Sequence, residues 1–128
     1  MEKKIFISAS LLGLLAVVLG AFAAHGLRDA LNTTSLESFQ TGVRYQMYHA
    51  FFLFVVGLLP QLTLAQKSRL FWVTIIGVVL FSGSIYLLSS NTLTPIDFGF
   101  LGPITPIGGL FLISAWGVLF YHLLKNKF

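Results

Sequence analysis

Residues 44–56 read RYQMYHAFFLFVV, so that an arginine, two tyrosines and a histidine run directly into seven apolar residues. The apolar part is typical of a transmembrane helix, whereas an arginine or a histidine beside hydrocarbon is costly unless it has a partner. We expect those partners on the other helices of the chain. The stretch therefore predicts a bundle of membrane helices with a polar region near one end.

The composition of the whole chain supports a membrane protein. Of the 128 residues, 56% are hydrophobic and only 9% are charged, whereas soluble domains carry about a quarter charged residues. The absence of cysteine excludes disulfides, thiolate metal sites and thiol catalysis. The net charge of +4 does not indicate nucleic-acid binding, because the basic residues fall in pairs beside apolar segments and form no patch with interleaved aromatic residues.

The apolar segments predict an all-α fold, an integral membrane four-helix bundle that occupies residues 1–128 as a single domain. The predicted spans are residues 5–27, 44–65, 70–90 and 105–124. Each is long enough to cross about 30 Å of hydrocarbon. A cleavable signal peptide is the alternative for the first segment, because it follows a basic start and contains an AFA sequence at residues 21–23. Its apolar run is long for a signal, which favours a retained helix.

Local signals refine the ends of the predicted helices. Thr34 and Glu37 fit a capping box, so the second helix should begin near Ser35 with an amphipathic start in the membrane interface. We expect this helix to bend at Pro60 and to continue to about residue 65. Thr105 followed by proline predicts the N-cap and first residue of the last helix.

The basic residues predict the orientation of the bundle. Four spans place both termini on one side of the membrane, and with cytoplasmic termini the inner side carries six basic residues against two outside. The inner residues are Lys3, Lys4, Lys67, Arg69, Lys125 and Lys127. The positive-inside rule therefore predicts a multi-pass protein of the plasma (inner) membrane with cytoplasmic amino and carboxyl termini.

Most polar side chains of the predicted spans fall at their outer ends. Ionisable groups inside a membrane bundle are functional candidates, and their clustering on one side predicts a single pocket open to the outer face. The predicted ligand-binding residues are His25, Arg44, Tyr48, His49, Tyr86 and Thr105. At about 100° per residue, Glu37, Thr41, Arg44 and Tyr48 form a stripe that we expect to face the bundle.

Arg44 has two interpretations. In the first, the outer charged residues lock the top of the bundle through ion pairs, because a buried arginine without a carboxylate is costly. The residues predicted for this pairing, besides Arg44 itself, are Arg28, Asp29, Glu37 and Asp97. In the second, the guanidinium binds a carboxylate, a phosphate or a lipid headgroup, assisted by the positive end of the last helix near Thr105.

His25 and His49 are expected at similar depth on antiparallel spans. Interhelical hydrogen bonds are the simplest role for them, and haem ligation or proton relay and pH sensing are alternatives. No set of three or four ligands has a recognisable metal-binding spacing. No nucleophile with a base, glycine-rich phosphate loop or pair of catalytic carboxylates is recognisable either. We therefore expect no cofactor, no metal site and no enzymatic activity.

Three segments resemble the signature blocks of a known family. They read GAFAAHGL at residues 20–27, FQTGVRYQMYHA at residues 39–50 and GPITPIGG at residues 102–109. The family consists of the small membrane proteins described as domain of unknown function 423, which include the eukaryotic transmembrane protein 256. The resemblance extends over essentially the whole chain and implies a four-helix membrane protein without an assigned reaction or catalytic residue. It also implies that the following residues characterise the group: His25, Arg44, Tyr48, His49, Gly102, Pro103 and Pro106.

Three functional hypotheses follow from these observations. The first is binding or transport of a small amphiphilic or anionic ligand, such as a lipid, a quinone or a carboxylate, in an outer-leaflet pocket. The second is a structural or accessory subunit of a membrane complex without a ligand of its own, and the third, an intramembrane enzyme or haem protein, has the least support. The expected partners are membrane lipids and, through small-residue faces such as Ala16, Gly20 and Ala24, a second copy or a membrane complex.

Overall fold

The computed structural model describes all 128 residues and contains helices without any strand. The four long helices are α1 (Glu2–His25), α2 (Thr33–Leu58), α3 (Leu64–Ser89) and α4 (Ile104–Lys125). Each runs antiparallel to the helix before it: Gly20 faces Val43, Gly42 faces Tyr86, and Gly77 faces Leu112. The predicted all-α four-helix bundle is confirmed.

Both chain termini lie at one end of the bundle. The Glu2 carboxylate is 3.3 Å from Lys67 Nζ, and the Asn126 amide donates to the Gln61 carbonyl at 2.7 Å. We call this the termini end. The opposite end, formed by the α1–α2 and α3–α4 connections, is the distal end.

Three of the four helices, α1, α3 and α4, are long and apolar enough to cross a membrane by length and composition. The remaining helix, α2, has 26 residues, but its polar stretch at residues 44–49 lowers its mean hydropathy. Much of that polarity is turned inward, since Gln46 and His49 are 4% and 3% exposed.

The predicted cap of α2 and its predicted carboxyl-terminal end were wrong, whereas its start lies within two residues of the prediction. The helix begins at Thr33 and is capped by Asn32, whose side-chain oxygen accepts the Ser35 N–H at 2.8 Å, so the predicted capping box is not formed. Asparagine is as strong an N-cap as serine or threonine, and here its backbone is extended. At the other end α2 stops at Leu58, because Pro60 cannot donate a helical hydrogen bond and forces the preceding residue out of the helical region.

The third helix contains a π-helical segment at Val79–Gly83 and begins with a capping box between Thr63 and Gln66. Its partner α4 begins after Pro103, which provides no side-chain cap. Thr105 is therefore the second helical residue and not the predicted N-cap. Its hydroxyl instead contacts the Ser84 hydroxyl of α3 at 2.5 Å.

The apolar core is divided into two clusters. The larger one lies towards the termini end and includes Ile5, Leu53 and Leu70, whereas the smaller one, around Ala23 and Phe39, lies at the distal end. The polar stretch of α2 falls between them.

Helices α3 and α4 approach each other closely at a glycine. A Cβ added to Gly108 would lie 2.3 Å from the Phe81 backbone nitrogen, so only glycine permits this distance. In contrast, no Cα atom of α2 comes within 8 Å of a Cα atom of α4. The two helices flank α3 and leave a cleft between them, which we call the α2/α4 cleft.

Candidate functional site

The face of α2 that packs into the bundle is not the predicted one. Glu37, Arg44 and Tyr48 are exposed, and Tyr48 is 51% accessible. The buried positions are Phe39, Gly42, Gln46, His49 and Leu53. Gly42 explains why this face of α2 is buried. Its missing side chain leaves space for the Tyr86 ring, which would meet an added Cβ at 2.8 Å. The helix thereby buries polar groups that the bundle can pair and leaves the guanidinium outside.

Gln46 joins three helices and was not predicted as a site residue. Its amide donates to the Leu12 carbonyl of α1 at 2.8 Å, and its oxygen accepts the Tyr86 hydroxyl of α3 at 2.6 Å. One turn away, the Ser82 hydroxyl donates to the Gly42 carbonyl at 2.7 Å. The sequence signal for this role was the spacing of Gln46 from Gly42 and His49 by four and three residues, which places all three on one helical face.

His49 is held by two hydrogen bonds. Its Nδ1 is 2.7 Å from the Tyr45 carbonyl, and its Nε2 is 3.2 Å from the indole nitrogen of Trp116 on α4. Because indole N–H can only donate, Nε2 is the acceptor and the proton lies on Nδ1, which donates to the carbonyl. His49 is therefore a neutral imidazole that connects α2 to α4.

The two outer histidines do not lie at similar depth, which corrects that expectation. Gly20 faces Val43 and Gly13 faces Ala50, and in this register His25 is level with residue 38. Eleven residues separate that level from His49, or about 16 Å at 1.5 Å per residue. His25 is exposed. The geometry for joint haem ligation is not formed.

The predicted ion pairs at the outer end are not formed either. Arg44 donates to the Thr41 hydroxyl at 3.0 Å and contacts no carboxylate, and Arg28, Asp29 and Glu37 are exposed and unpaired. Arg28, Asp29 and Glu37 lie near helix ends, where exposed charges keep their solvation and gain little by pairing.

Asp97 pairs with its own loop between α3 and α4. Its carboxylate accepts the Gly99 N–H at 2.9 Å and the Asn91 amide at 3.2 Å. These two bonds, the backbone one first, hold the pKa of Asp97 below its ordinary value. Asp97 thus orders the connection and does not neutralise an arginine.

The single salt bridge of the chain lies at the termini end. Lys67, whose side chain is 5% exposed, contacts Glu2 at 3.3 Å and donates to the Gly57 carbonyl at 2.8 Å. That carbonyl belongs to the last turn of α2, where a cation satisfies an otherwise unpaired acceptor. The sequence pattern identified Lys67 only as a topology signal, and nothing in its spacing distinguished it from Arg69.

A cavity of about 440 Å³ opens at the distal end of the α2/α4 cleft. We call it the distal cavity. Its walls are the first turns of α2, the last turn of α3 and the start of α4. The lining residues are Thr34, Ser35, Ser38, Ile85, Leu88, Ser89, Gly102, Thr105 and Pro106. Five of these nine side chains carry a hydroxyl group, and none carries a charge.

A second cavity, of about 260 Å³, lies deeper along the helices, and we call it the aromatic groove. Tyr45 and Phe81 pack with ring centroids 5.1 Å apart on one side, and Trp116 packs against Phe52 at 4.6 Å on the other. The lining residues are Tyr45, His49, Phe81, Gly109, Leu112, Ile113 and Trp116. Apart from His49 and the tyrosine hydroxyl, the groove is apolar.

The two cavities are successive sections of one cleft. On α4 the lining positions are 105, 106, 109, 112, 113 and 116, and on α2 they include 34, 38, 45 and 49. Residues three, four or seven apart share one face of a helix, so each helix presents a single face to both cavities. The floor between them is α3, with Phe81 inside its π-helical segment. Such segments occur frequently at functional sites.

The structure separates the six predicted ligand-binding residues. His49 lines the aromatic groove and Thr105 lines the distal cavity. Tyr86 lies behind the cleft, where it supports α2 through Gln46. Tyr48 touches the edge of the Tyr45 ring, with centroids 5.5 Å apart, but like His25 and Arg44 it does not line a cavity.

Comparison with known proteins gives consistent matches. A family model described as protein of unknown function DUF423 matches residues 19–109, a range that includes every lining position of the distal cavity and four of the seven in the aromatic groove. The chain is 41% identical to the UPF0382 membrane protein YwdK of Bacillus subtilis, over 89% of this chain and 90% of that protein. It is 40% identical to a UPF0382 membrane protein of Staphylococcus epidermidis, over 96% and 97% of the two chains. It is 30% identical to the UPF0382 inner membrane protein YgdD of Escherichia coli, over 98% and 93%. No solved structure matches.

Proposed function

The chain belongs to the DUF423 family of membrane proteins, and we propose that this member binds a small amphiphilic ligand in its α2/α4 cleft. Its relatives are named as membrane proteins and three of its helices can cross a bilayer, so it is an integral membrane protein.

The observation that carries the proposal is the change in polarity along the cleft. The distal cavity contains five hydroxyl side chains, whereas the aromatic groove contains the rings of Tyr45, Phe81 and Trp116, aliphatic residues and a single imidazole. An amphiphile has the same order, a polar group followed by an apolar chain. The distal cavity alone, at about 440 Å³, falls within the range of about 300–1,000 Å³ that is typical of small-molecule sites.

The proposed binding mode uses the rigid parts of the cleft. The ligand's apolar chain would lie against Tyr45, whose ring stacks on His49, and against Trp116, whose indole N–H donates to His49. Its polar group would lie among the hydroxyls at the distal end. Because Ile113 and Trp116 of the groove are 69% and 51% exposed, the ligand would enter laterally from one leaflet.

We locate the protein in the plasma (inner) membrane with its distal end facing outward. The excess of basic residues at the termini end supports this orientation. The name of the relative YgdD, an inner membrane protein, supports the location. The ligand would then come from the outer leaflet.

A matched pair of glycine substitutions on α4 tests the proposal. An added Cβ at Gly109 would point towards Phe81 at 3.6 Å, whereas one at Gly117 would meet nothing within 4 Å. We expect Gly109→Leu to fill the aromatic groove and to reduce co-purified amphiphile by about tenfold in native mass spectrometry. Gly117→Leu should retain the wild-type amount, since it makes the same change outside the cleft.

The same measurement separates the proposal from an accessory role. If Gly109→Leu remains folded by circular dichroism and carries the same bound species as the wild type, the cleft is a packing gap. The protein would then be better described as a structural or accessory subunit. Arg44→Ala is a third arm: loss of the ligand in that variant alone would move the site to the exposed face of α2.

A further inference from the structure

We propose that the distal cavity is an oxyanion site and that it binds the phosphodiester group of an amphiphile. The inference rests on the proposed function, because it assigns the polar end of the same ligand. Three sets of donors, one from each helix around the cavity, support it.

The first donors belong to the amino terminus of α4. The preceding residue, Pro103, provides no side-chain cap, and the N–H groups of Ile104 and Thr105 have no acceptor within the protein. A helix of 22 residues carries about half a positive charge at this end. Free N–H groups together with that charge favour an anion.

The second donor is Ser89, in the last turn of α3. The residue is 5% exposed and lines the distal cavity, yet its hydroxyl has no hydrogen-bond partner. Serine hydroxyls in helices usually bond to a carbonyl of their own helix, as the neighbouring Ser90 does with the Tyr86 carbonyl. Ser89 is therefore a buried, unpaired donor in the wall of the cavity, and a rotation of its side chain would bring the hydroxyl to a bound ligand.

The third set of donors lies across the cavity on α2. The hydroxyls of Thr34, Ser35 and Ser38 line it and form no hydrogen bond within the protein. Donors on three sides suit the tetrahedral oxygens of a phosphate better than the planar oxygens of a carboxylate.

The charge of the site selects a monoanion. No lysine, arginine, aspartate or glutamate lines the distal cavity, so its positive potential comes from partial charges alone. A phosphodiester carries one negative charge, whereas a phosphate monoester carries close to two at neutral pH. A dianion would lose more hydration than these neutral donors can replace.

The test uses the full chain in mild detergent with short-chain probes in native mass spectrometry. The probes are dioctanoyl-phosphatidylglycerol, dioctanoylglycerol, which lacks the phosphodiester, and inorganic phosphate as a competitor. We expect Ser89→Ala to weaken binding of the phospholipid about tenfold, which corresponds to the loss of one hydrogen bond to a charged group. Ser90→Ala is the matched control and should change the affinity by less than twofold, because its hydroxyl bonds its own helix and does not line the cavity.

The outcomes are distinguishable. Equal affinity for the phospholipid and for dioctanoylglycerol, or an unchanged affinity in Ser89→Ala, would overturn the oxyanion site. If Gly109→Leu still weakened the binding of both lipids, the proposed amphiphile cleft would stand without the oxyanion site. If no lipid responded to Gly109→Leu, the proposed function itself would fail. Competition by inorganic phosphate below its second pKa, where it is a monoanion, would support the oxyanion site and identify its source as a free anion, provided that Ser89→Ala weakens this competition.

Discussion

At the scale of single residues, the polar groups of the bundle divide into those that the helices pair and those that they leave outside. Gln46 illustrates the first kind, since its amide donates to α1 and accepts from α3. Arg44, two residues earlier, illustrates the second, because it is exposed on α2. A glutamine can satisfy both ends of its amide without burying a net charge, whereas a buried guanidinium requires a carboxylate.

The role of Gln46 leads to a stability prediction. Gln46→Leu keeps a similar volume but leaves the Leu12 carbonyl and the Tyr86 hydroxyl without their partner, so we expect destabilisation by about 2 kcal/mol. Tyr86→Phe removes a single hydroxyl and should lower the free energy of unfolding by less than Gln46→Leu does. Thermal unfolding in detergent, followed by circular dichroism, measures both.

The double variant provides the control for this pair. In the Gln46→Leu background, Tyr86→Phe removes the hydroxyl that the first substitution leaves unpaired, so the two effects should be less than additive. Full additivity would indicate that the hydrogen bond between the two side chains contributes little.

At the scale of elements, the close approach of α3 and α4 determines the shape of the cleft. Gly108 lies against the backbone at Leu80 and Phe81, inside the π-helical segment of α3. This contact draws α4 onto α3 and keeps it away from α2. Side chains alone, chiefly Trp116 with His49, bridge the remaining gap.

Gly108→Ala tests this contact. The new Cβ would lie 2.3 Å from the Phe81 nitrogen, and backbone cannot move aside as a flexible side chain can, so we expect a loss of about 3 kcal/mol. Gly117→Ala, on the same helix in open space, should be neutral or stabilising by up to about 1 kcal/mol, because alanine is the better helix former. Chemical or thermal denaturation in detergent compares them, and similar stability of the two variants would contradict the packing argument.

At the scale of the whole molecule, the two ends of the bundle differ. The termini end is joined by the buried Lys67, which contacts Glu2 and the last turn of α2, and by Asn126, which bonds to the α2–α3 turn. The distal end has no salt bridge and contains the larger cavity. This asymmetry agrees with a bundle that is locked at one membrane face and accessible at the other.

Reporter fusions at the carboxyl terminus test the proposed orientation. With six basic residues at the termini end and only Arg28 and Arg44 elsewhere in the chain, we expect a carboxyl-terminal green fluorescent protein to be fluorescent and alkaline phosphatase to be inactive. A fusion within the α3–α4 connection should give the opposite result. An active carboxyl-terminal phosphatase would reverse the orientation and place the ligand in the inner leaflet.

Hydropathy and local propensity determine what this sequence establishes by itself. Long apolar runs predict helices in a bilayer because every backbone polar group must be paired there, and Pro60 accounts for the end of α2 even though the predicted end was later. The family blocks at residues 20–27, 39–50 and 102–109 are also contiguous stretches of sequence, so they can be recognised without the tertiary structure.

Only the tertiary structure decided which side of α2 is buried and which residues form the cleft. A polar stripe such as Glu37, Arg44 and Tyr48 can face a pocket or the bilayer surface, and helical periodicity does not distinguish the two. The choice was made by the space around Gly42, by the partners available to Gln46 and by the distance that Gly108 sets between α3 and α4. These are contacts between residues far apart in the chain, so their energies decide the packing without leaving a local pattern in the sequence.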